Sequence, residues 1–200
     1  MKIIVIGGKG VIGSAVVKEL SARHEIVIAG RSGCDLSCDT TSEKSIRDMF
    51  IKAGKFDAVV VTAGNVVFAD FSEMTAAKYA VGLQDKLMGQ VNTVLIGREF
   101  IQDGGSFTLT TGILNHDPIW SGSSASMVNG AIEGFVIGAA IEMPRSIRIN
   151  AICPTVLQES MDRFGPYFRG FDPVPAVKVG LAYSKSVEGL QTGQIYKVLR

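Results

Sequence analysis

The first fourteen residues carry the feature that most restricts the fold. The strand-like run Ile3-Ile4-Val5-Ile6 leads straight into Gly7-Gly8-Lys9-Gly10-Val11-Ile12-Gly13-Ser14, with glycines at 7, 10 and 13. A chain needs glycine at such places for three reasons: to turn sharply out of a strand, to bring its backbone close to a pyrophosphate, and to pack the next helix tightly on the sheet. The N-terminus of that helix then offers free N–H groups and a partial positive charge to phosphates. The spacing therefore predicts a dinucleotide seat at Gly7, Gly10, Val11, Ile12 and Gly13. The bland alternative is a tight turn that binds nothing.

Downstream, short β-branched runs alternate with longer helical patterns, the signature of a doubly wound parallel sheet. Strands are expected at Lys2–Ile6, Glu25–Ala29, Cys34–Cys38, Phe56–Thr62, Ser106–Thr110, Ile147–Ile152 and Gln194–Leu199. Helices are expected at Gly13–Ala22, Ser42–Ala53, about Thr75–Ile101, Ser123–Met143 and Ala176–Leu190. The expected fold class is α/β: a doubly wound parallel sheet of about seven strands (a Rossmann fold) in three αβα layers, as one domain over residues 1–200. Pro154–Pro175 holds four of the six prolines and many aromatics, and reads as a substrate lid or loop.

Charge narrows the partners. Twenty basic and nineteen acidic residues give a net charge of +1, with no basic run or aromatic–basic interleaving, so no nucleic-acid partner is expected. The most apolar long stretch, Ala131–Met143, is interrupted by Glu133 and Glu142 and reads as a buried helix, not a membrane span. Cys34, Cys38 and Cys153 lack the partners of a zinc site, so no metal is expected. Reduced cysteines and a cytoplasmic location are the plain reading.

At the end of the second strand, where a ribose 2′-hydroxyl reader would be Asp or Glu, the chain offers Gly30-Arg31-Ser32. A guanidinium can grip a 2′-phosphate that an acidic side chain would repel, helped by the Ser32 hydroxyl. Arg31 thus points to NADP(H) over NAD(H). A solvated surface arginine is the alternative.

The chain resembles the short-chain dehydrogenase/reductase superfamily over nearly its whole length. Asp39-Thr40 matches the pair beside the adenine, and Thr62-Ala63-Gly64 resembles the Asn-Ala-Gly turn after the fourth strand. Asn92, in Gln90-Val91-Asn92-Thr93, falls where the family has its helix asparagine. Ser106-Phe107-Thr108-Leu109-Thr110-Thr111-Gly112 resembles the strand ending in the catalytic serine. Arg148-Ile149-Asn150-Ala151-Ile152-Cys153-Pro154 is close to the family's sixth strand, with Thr155 where glycine is usual, and Thr192-Gly193-Gln194 matches the start of the last strand. The resemblance implies an NADP(H)-dependent oxidoreductase acting on a small carbonyl or alcohol, with Asp39, Thr40, Ala63, Gly64 and Pro154 joining the cofactor seat.

One departure is central. The family's acid/base is a Tyr-x-x-x-Lys pair at the start of the helix after the fifth strand. Of Tyr79, Tyr167, Tyr183 and Tyr196, none is followed by lysine four residues later. Alignment puts Ser123 and Met127 in those slots. An aliphatic hydroxyl titrates far above a phenol, which itself lies near pH 10, and methionine has no donor. The remaining catalytic candidates are Thr111, Ser123, Asn92 and His116. Tyr167 and Trp120 read as pocket wall or packing. Ser126, Gly130, Gly134 and Gly138 form a small-residue stripe. The resemblance implies that it lies in a homodimer or homotetramer interface, and close packing on the chain's own sheet is the alternative. Beside the enzyme reading stand a non-catalytic NADP(H)-binding redox sensor and, with no residue speaking for it, an isomerase that uses the cofactor structurally.

Overall fold

The computed structural model describes all 200 residues. Seven parallel strands form one sheet: β1 (Lys2–Ile6), β2 (Glu25–Gly30), β3 (Leu36–Ser37), β4 (Phe56–Val61), β5 (Ile101–Thr110), β6 (Arg148–Pro154) and β7 (Ile195–Val198). Their spatial order is β3-β2-β1-β4-β5-β6-β7. Strands buried on both faces read as unbroken apolar runs, and successive side chains point to opposite sides. In β1, Ile3 and Val5 pack under α1 (Val11–Leu20) and α7 (Ala176–Glu188), meeting Val16, Leu20, Val179 and Tyr183. Ile4 and Ile6 face the other layer, built from α2 (Glu43–Ala53), α4 (Gly89–Gly97) and α5 (Ser123–Glu142). By length and composition α5 could cross a membrane. Here its Val128, Ile132 and Val136 have no exposed surface and lie in this core.

β1 pairs with β2 on one side and β4 on the other, so the winding reverses at its C-terminal edge. In such sheets the ligand crevice opens at that reversal.

Three elements differ from the sequence-based expectation. The third strand shrinks to two residues, because the loop before it curls to let the Asp35 carboxylate accept the Ile28 N–H at 2.8 Å. β5 starts five residues early, at Ile101, and a register shift opposite Phe56/Ala58 accommodates the Gly104-Gly105 kink. The long helix ends at Gly97 and is not uniform. It runs as α3 (Ala76–Gly82), a π-helical segment (Leu83–Met88) and α4. Such π segments insert a residue into the helical phase and often mark functional positions.

Candidate active site

Two recesses meet at the C-terminal edge of the sheet and share Gly64. The first is lined by Gly7, Arg31, Thr40, Ala63, Gly64 and Asp85, among others. Beside it, α1 begins at Gly10 with no side chain capping its first turn, which leaves the N–H groups of Val11, Ile12 and Gly13 for an incoming acceptor. The loop is folded as closely as backbone allows: a Cβ at Gly13 would lie 2.1 Å from the Gly7 carbonyl oxygen. The exposed Arg31 is joined at the rim by Lys9, whose Nζ donates to the Gly33 carbonyl. The nearby acid, Asp39, is engaged by Thr41. Its carboxylate accepts the N–H and hydroxyl of Thr41 at 3.0 and 2.8 Å, which holds it below the usual carboxylate range. An uncapped helix start, a backbone cradle and two cations together fit a phosphorylated dinucleotide.

The second recess is a cavity of about 240 Å³. Its floor is Lys86, Thr111, Gly112, Asn129 and Pro154, with Ile12 at the nucleotide end. Its walls are apolar, with Val66, Phe68, Leu157, Phe164 and Phe168. Most of these come from the segment after β6, which carries the short helix α6 (Met161–Phe164). That segment is fixed by a bridge between Leu157 and Val174 and by the Glu159 carboxylate, which accepts the Ala176 N–H at 3.0 Å and so caps α7.

Lys86 stands out in this floor. The π segment presents it, and Gly64, at φ +146°, makes room for it, since a Cβ there would lie 2.7 Å from Lys86 Cγ. Lys86 Nζ donates to Asn129 Oδ1 at 2.7 Å and to the Thr111 carbonyl at 3.3 Å. Asn129 Nδ2 donates in turn to the Gly112 carbonyl at 3.1 Å, which fixes the amide with its oxygen towards Lys86. Burial pulls the Lys86 ammonium down to about 8.

Residues 8–174 match the family described as enoyl-(acyl carrier protein) reductase. The chain belongs to the short-chain dehydrogenase/reductase superfamily. The solved protein lin1944 from Listeria innocua is 50% identical, with a TM-score of 0.98 and 99% of each chain covered. A small-chain dehydrogenase solved in complex with NADPH is 27% identical at a TM-score of 0.89, covering 99% of this chain and 96% of that one. A short-chain dehydrogenase/reductase from Serratia marcescens, 17% identical over 98% of this chain and 95% of its own, shares the fold at a TM-score of 0.85. No curated protein matches the chain.

Among the residues expected from the sequence, Thr111, Ile12, Gly64 and Pro154 line the cavity, and Gly7, Arg31, Thr40, Ala63 and Gly64 line the nucleotide recess. Gly10, Val11 and Gly13 form the helix start between them, and Ser32 sits exposed beside Arg31. The other catalytic candidates lie elsewhere. Ser123 Oγ accepts the Tyr79 hydroxyl at 2.9 Å and lines a separate groove with Trp120 and Met127. Asn92 lies on α4 outside the cavity lining. His116 is bound outside the cavity, with Nε2 2.9 Å from Glu133 Oε2, while Glu133 Oε1 accepts the Thr111 hydroxyl at 3.2 Å. The α5 positions that face the cavity at four-residue spacing are Ala125 and Asn129, two residues beyond the aligned Ser123 and Met127. Trp120 and Tyr167 are exposed.

Sequence reasoning missed Lys86, Asn129 and Lys9. Lys86 did leave a trace, as the last charged residue before the eleven neutral ones from Leu87 to Gly97.

Proposed function

We propose that this short-chain dehydrogenase/reductase is an NADP(H)-dependent oxidoreductase that interconverts a small, largely apolar carbonyl compound and its alcohol. The observation that carries this reading is that the phosphate-suited recess and the apolar cavity lie side by side, with Gly64 lining both. The nicotinamide, when bound, supplies or accepts the hydride. The chain's own part is to hold the nucleotide through the Gly7–Gly13 loop, to grip a 2′-phosphate with Arg31 and Lys9, and to keep water from the carbonyl with Phe68, Phe164 and Phe168. The NADPH complex of the 27% identical small-chain dehydrogenase supports the same cofactor. Of the catalytic candidates, Thr111 keeps a place at the reacting end, where its backbone carbonyl holds Lys86.

The test is a fluorescence titration with NADPH and NADH in parallel, followed by a screen of small aldehydes and ketones. Micromolar NADPH binding with NADH at least about tenfold weaker, a gap of about 1.4 kcal/mol, is expected. Binding of neither nucleotide sinks the reading. A second reading, a redox sensor that kept the cofactor and lost the chemistry, is favoured by Ala125, which gives the cavity a methyl at the helix position one turn before Asn129. Tight NADPH binding with no turnover across the screen would select it.

The small-residue stripe suggests the assembly. A Cβ at Gly134 or Gly138 meets nothing within 4 Å, and the neighbouring Ile137 and Ile141 are exposed. We infer that two copies pair through this α4–α5 face, as a homodimer or within a homotetramer. Light scattering should give a multiple of the 21.3 kDa chain mass, reduced to one chain by Gly134→Glu. A monomeric parent protein would exclude the pairing.

A further inference from the structure

The chain lacks the phenol–lysine pair, yet its cavity floor holds a lysine that no other role occupies. Lys86 belongs to none of the chain's ion pairs. An ammonium has three N–H donors. Two are spent on Asn129 Oδ1 and the Thr111 carbonyl, which leaves one for the cavity that Lys86 lines. Its side-chain anchor is itself buried and held: Asn129 is 2% exposed and tied to Gly112. Gly64 is the residue shared by both recesses and also the one whose missing side chain admits the Lys86 stem. Lys86 therefore stands in the cavity at the side that borders the nucleotide recess.

We propose that Lys86, delivered by the π segment and aimed by Asn129, is the acid/base that exchanges a proton with the substrate oxygen in this site. The proposal rests on the oxidoreductase reading above. In reduction, the carbonyl carbon accepts the hydride that the reduced nicotinamide supplies, and the C=O π pair moves onto oxygen. That oxygen takes one proton from the Lys86 ammonium. The products are the alcohol, the oxidised nicotinamide and a neutral Lys86 amine, which regains its proton from water. Alcohol oxidation runs the same steps in reverse. Asn129 is a positioning residue: it orients Nζ and does not meet the substrate oxygen.

The groups around Lys86 leave it free to titrate near neutrality. On β6, burial pushes the Cys153 thiol up to about 11, so it stays neutral. On the π segment, Asp85 accepts the Asn65 amide at 2.8 Å. On α5, Glu133 is engaged by Thr111 and His116. The Gly64 turn and the end of β5 contribute no ionisable side chain. With Lys86 at about 8, its acid form predominates at neutral pH and is lost as pH rises.

The experiment has two parts on the full-length protein. The first is trace acetylation with acetic anhydride across pH, mapped by peptide mass, with and without NADPH. Lys86 should label with a midpoint near 8, far below the ordinary lysine value of about 10.4. NADPH should suppress its labelling. Labelling like the surface lysines with no effect of NADPH overturns the proposal. The second part compares the parent protein with Lys86→Met and Lys86→Gln, using 4-nitrobenzaldehyde, 2,3-butanedione and related small carbonyls. NADPH affinity should stay within about threefold, while reduction falls at least a hundredfold. The parent's reduction rate should decline above pH 8, and the variants' residual rate should be flat. Variants that keep the parent rate and profile overturn the proposal, as does a parent that binds NADPH but reduces no carbonyl. Loss of NADPH binding by the parent itself would instead remove the oxidoreductase reading. The labelling arm needs no variant, so a variant that misfolds does not obscure the result.

Discussion

Gly13→Ala should abolish detectable NADPH binding and destabilise the protein by at least about 1–3 kcal/mol, the range for forcing a methyl into a packed interior. The new Cβ would lie 2.1 Å from the Gly7 carbonyl oxygen and 2.7 Å from Gly8 Cα. Both are backbone atoms, so no rotamer change relieves the clash. Either the loop opens or α1 lifts away, and α1 carries Val16 and Leu20, which have no exposed surface. Both responses spoil the cradle, because the seat consists of the N–H groups at the start of α1 and the loop facing them. Urea unfolding followed by circular dichroism would show the midpoint fall, and a nucleotide titration would show at least a hundredfold weaker binding, about 2.8 kcal/mol. A Gly13→Ala protein with the parent's stability and NADPH affinity would mean that the loop does not hold the nucleotide.

Arg31→Glu should sharply weaken the preference for NADPH. Hydrogen bonds to a charged group contribute about 1.5–3 kcal/mol, so NADPH binding should weaken roughly 10- to 100-fold, with NADH unchanged or improved. The site as it stands has Arg31 in the recess and Lys9 reaching across to Gly33 at its rim. Asp39, the nearby acid, is occupied by Thr41 and feels the Arg31 charge. Because Arg31 is exposed, the parent's preference should shrink as salt rises. Lys9 should preserve some preference in Arg31→Glu and lose it in Lys9→Glu/Arg31→Glu. If the NADPH-to-NADH affinity ratio is the same in the parent and in Arg31→Glu, then Arg31 is only a solvated surface residue.

The residues on which these two predictions rest were visible in the sequence because their signals are local. A strand, a glycine turn and a helix within fourteen residues can be read from neighbours in the chain, as can an arginine directly after the second strand. The catalytic end was less legible. Ser123 and Met127 were the expected cavity positions on α5, and the structure turns Ala125 and Asn129 inward instead. Each helical residue rotates the side chain by about 100°, so an error of two residues points to the opposite face. Asn92 was expected from the helix before β5, whereas Lys86 reaches the cavity from the π segment six residues earlier. A π turn adds a residue to the helical phase, so counting along an ideal helix fails beyond it.

By itself the sequence determined the alternation of strands and helices, the glycine cradle, the cation after β2 and the absence of a tyrosine–lysine pair. These follow from side-chain periodicity, from the steric needs of a tight turn, and from a plain inventory of residues. Only the tertiary structure decided which side chains share the cavity. Lys86, Thr111, Asn129 and Pro154 come from four different parts of the chain: the π segment, the end of β5, α5 and β6. Their meeting depends on the packing of α4 and α5 over the sheet, on a phase shift in one helix, and on the space left by Gly64. Burial then sets the chemistry, because a lysine drawn out of water at that point titrates near neutrality, which the same lysine in an unfolded chain would not do.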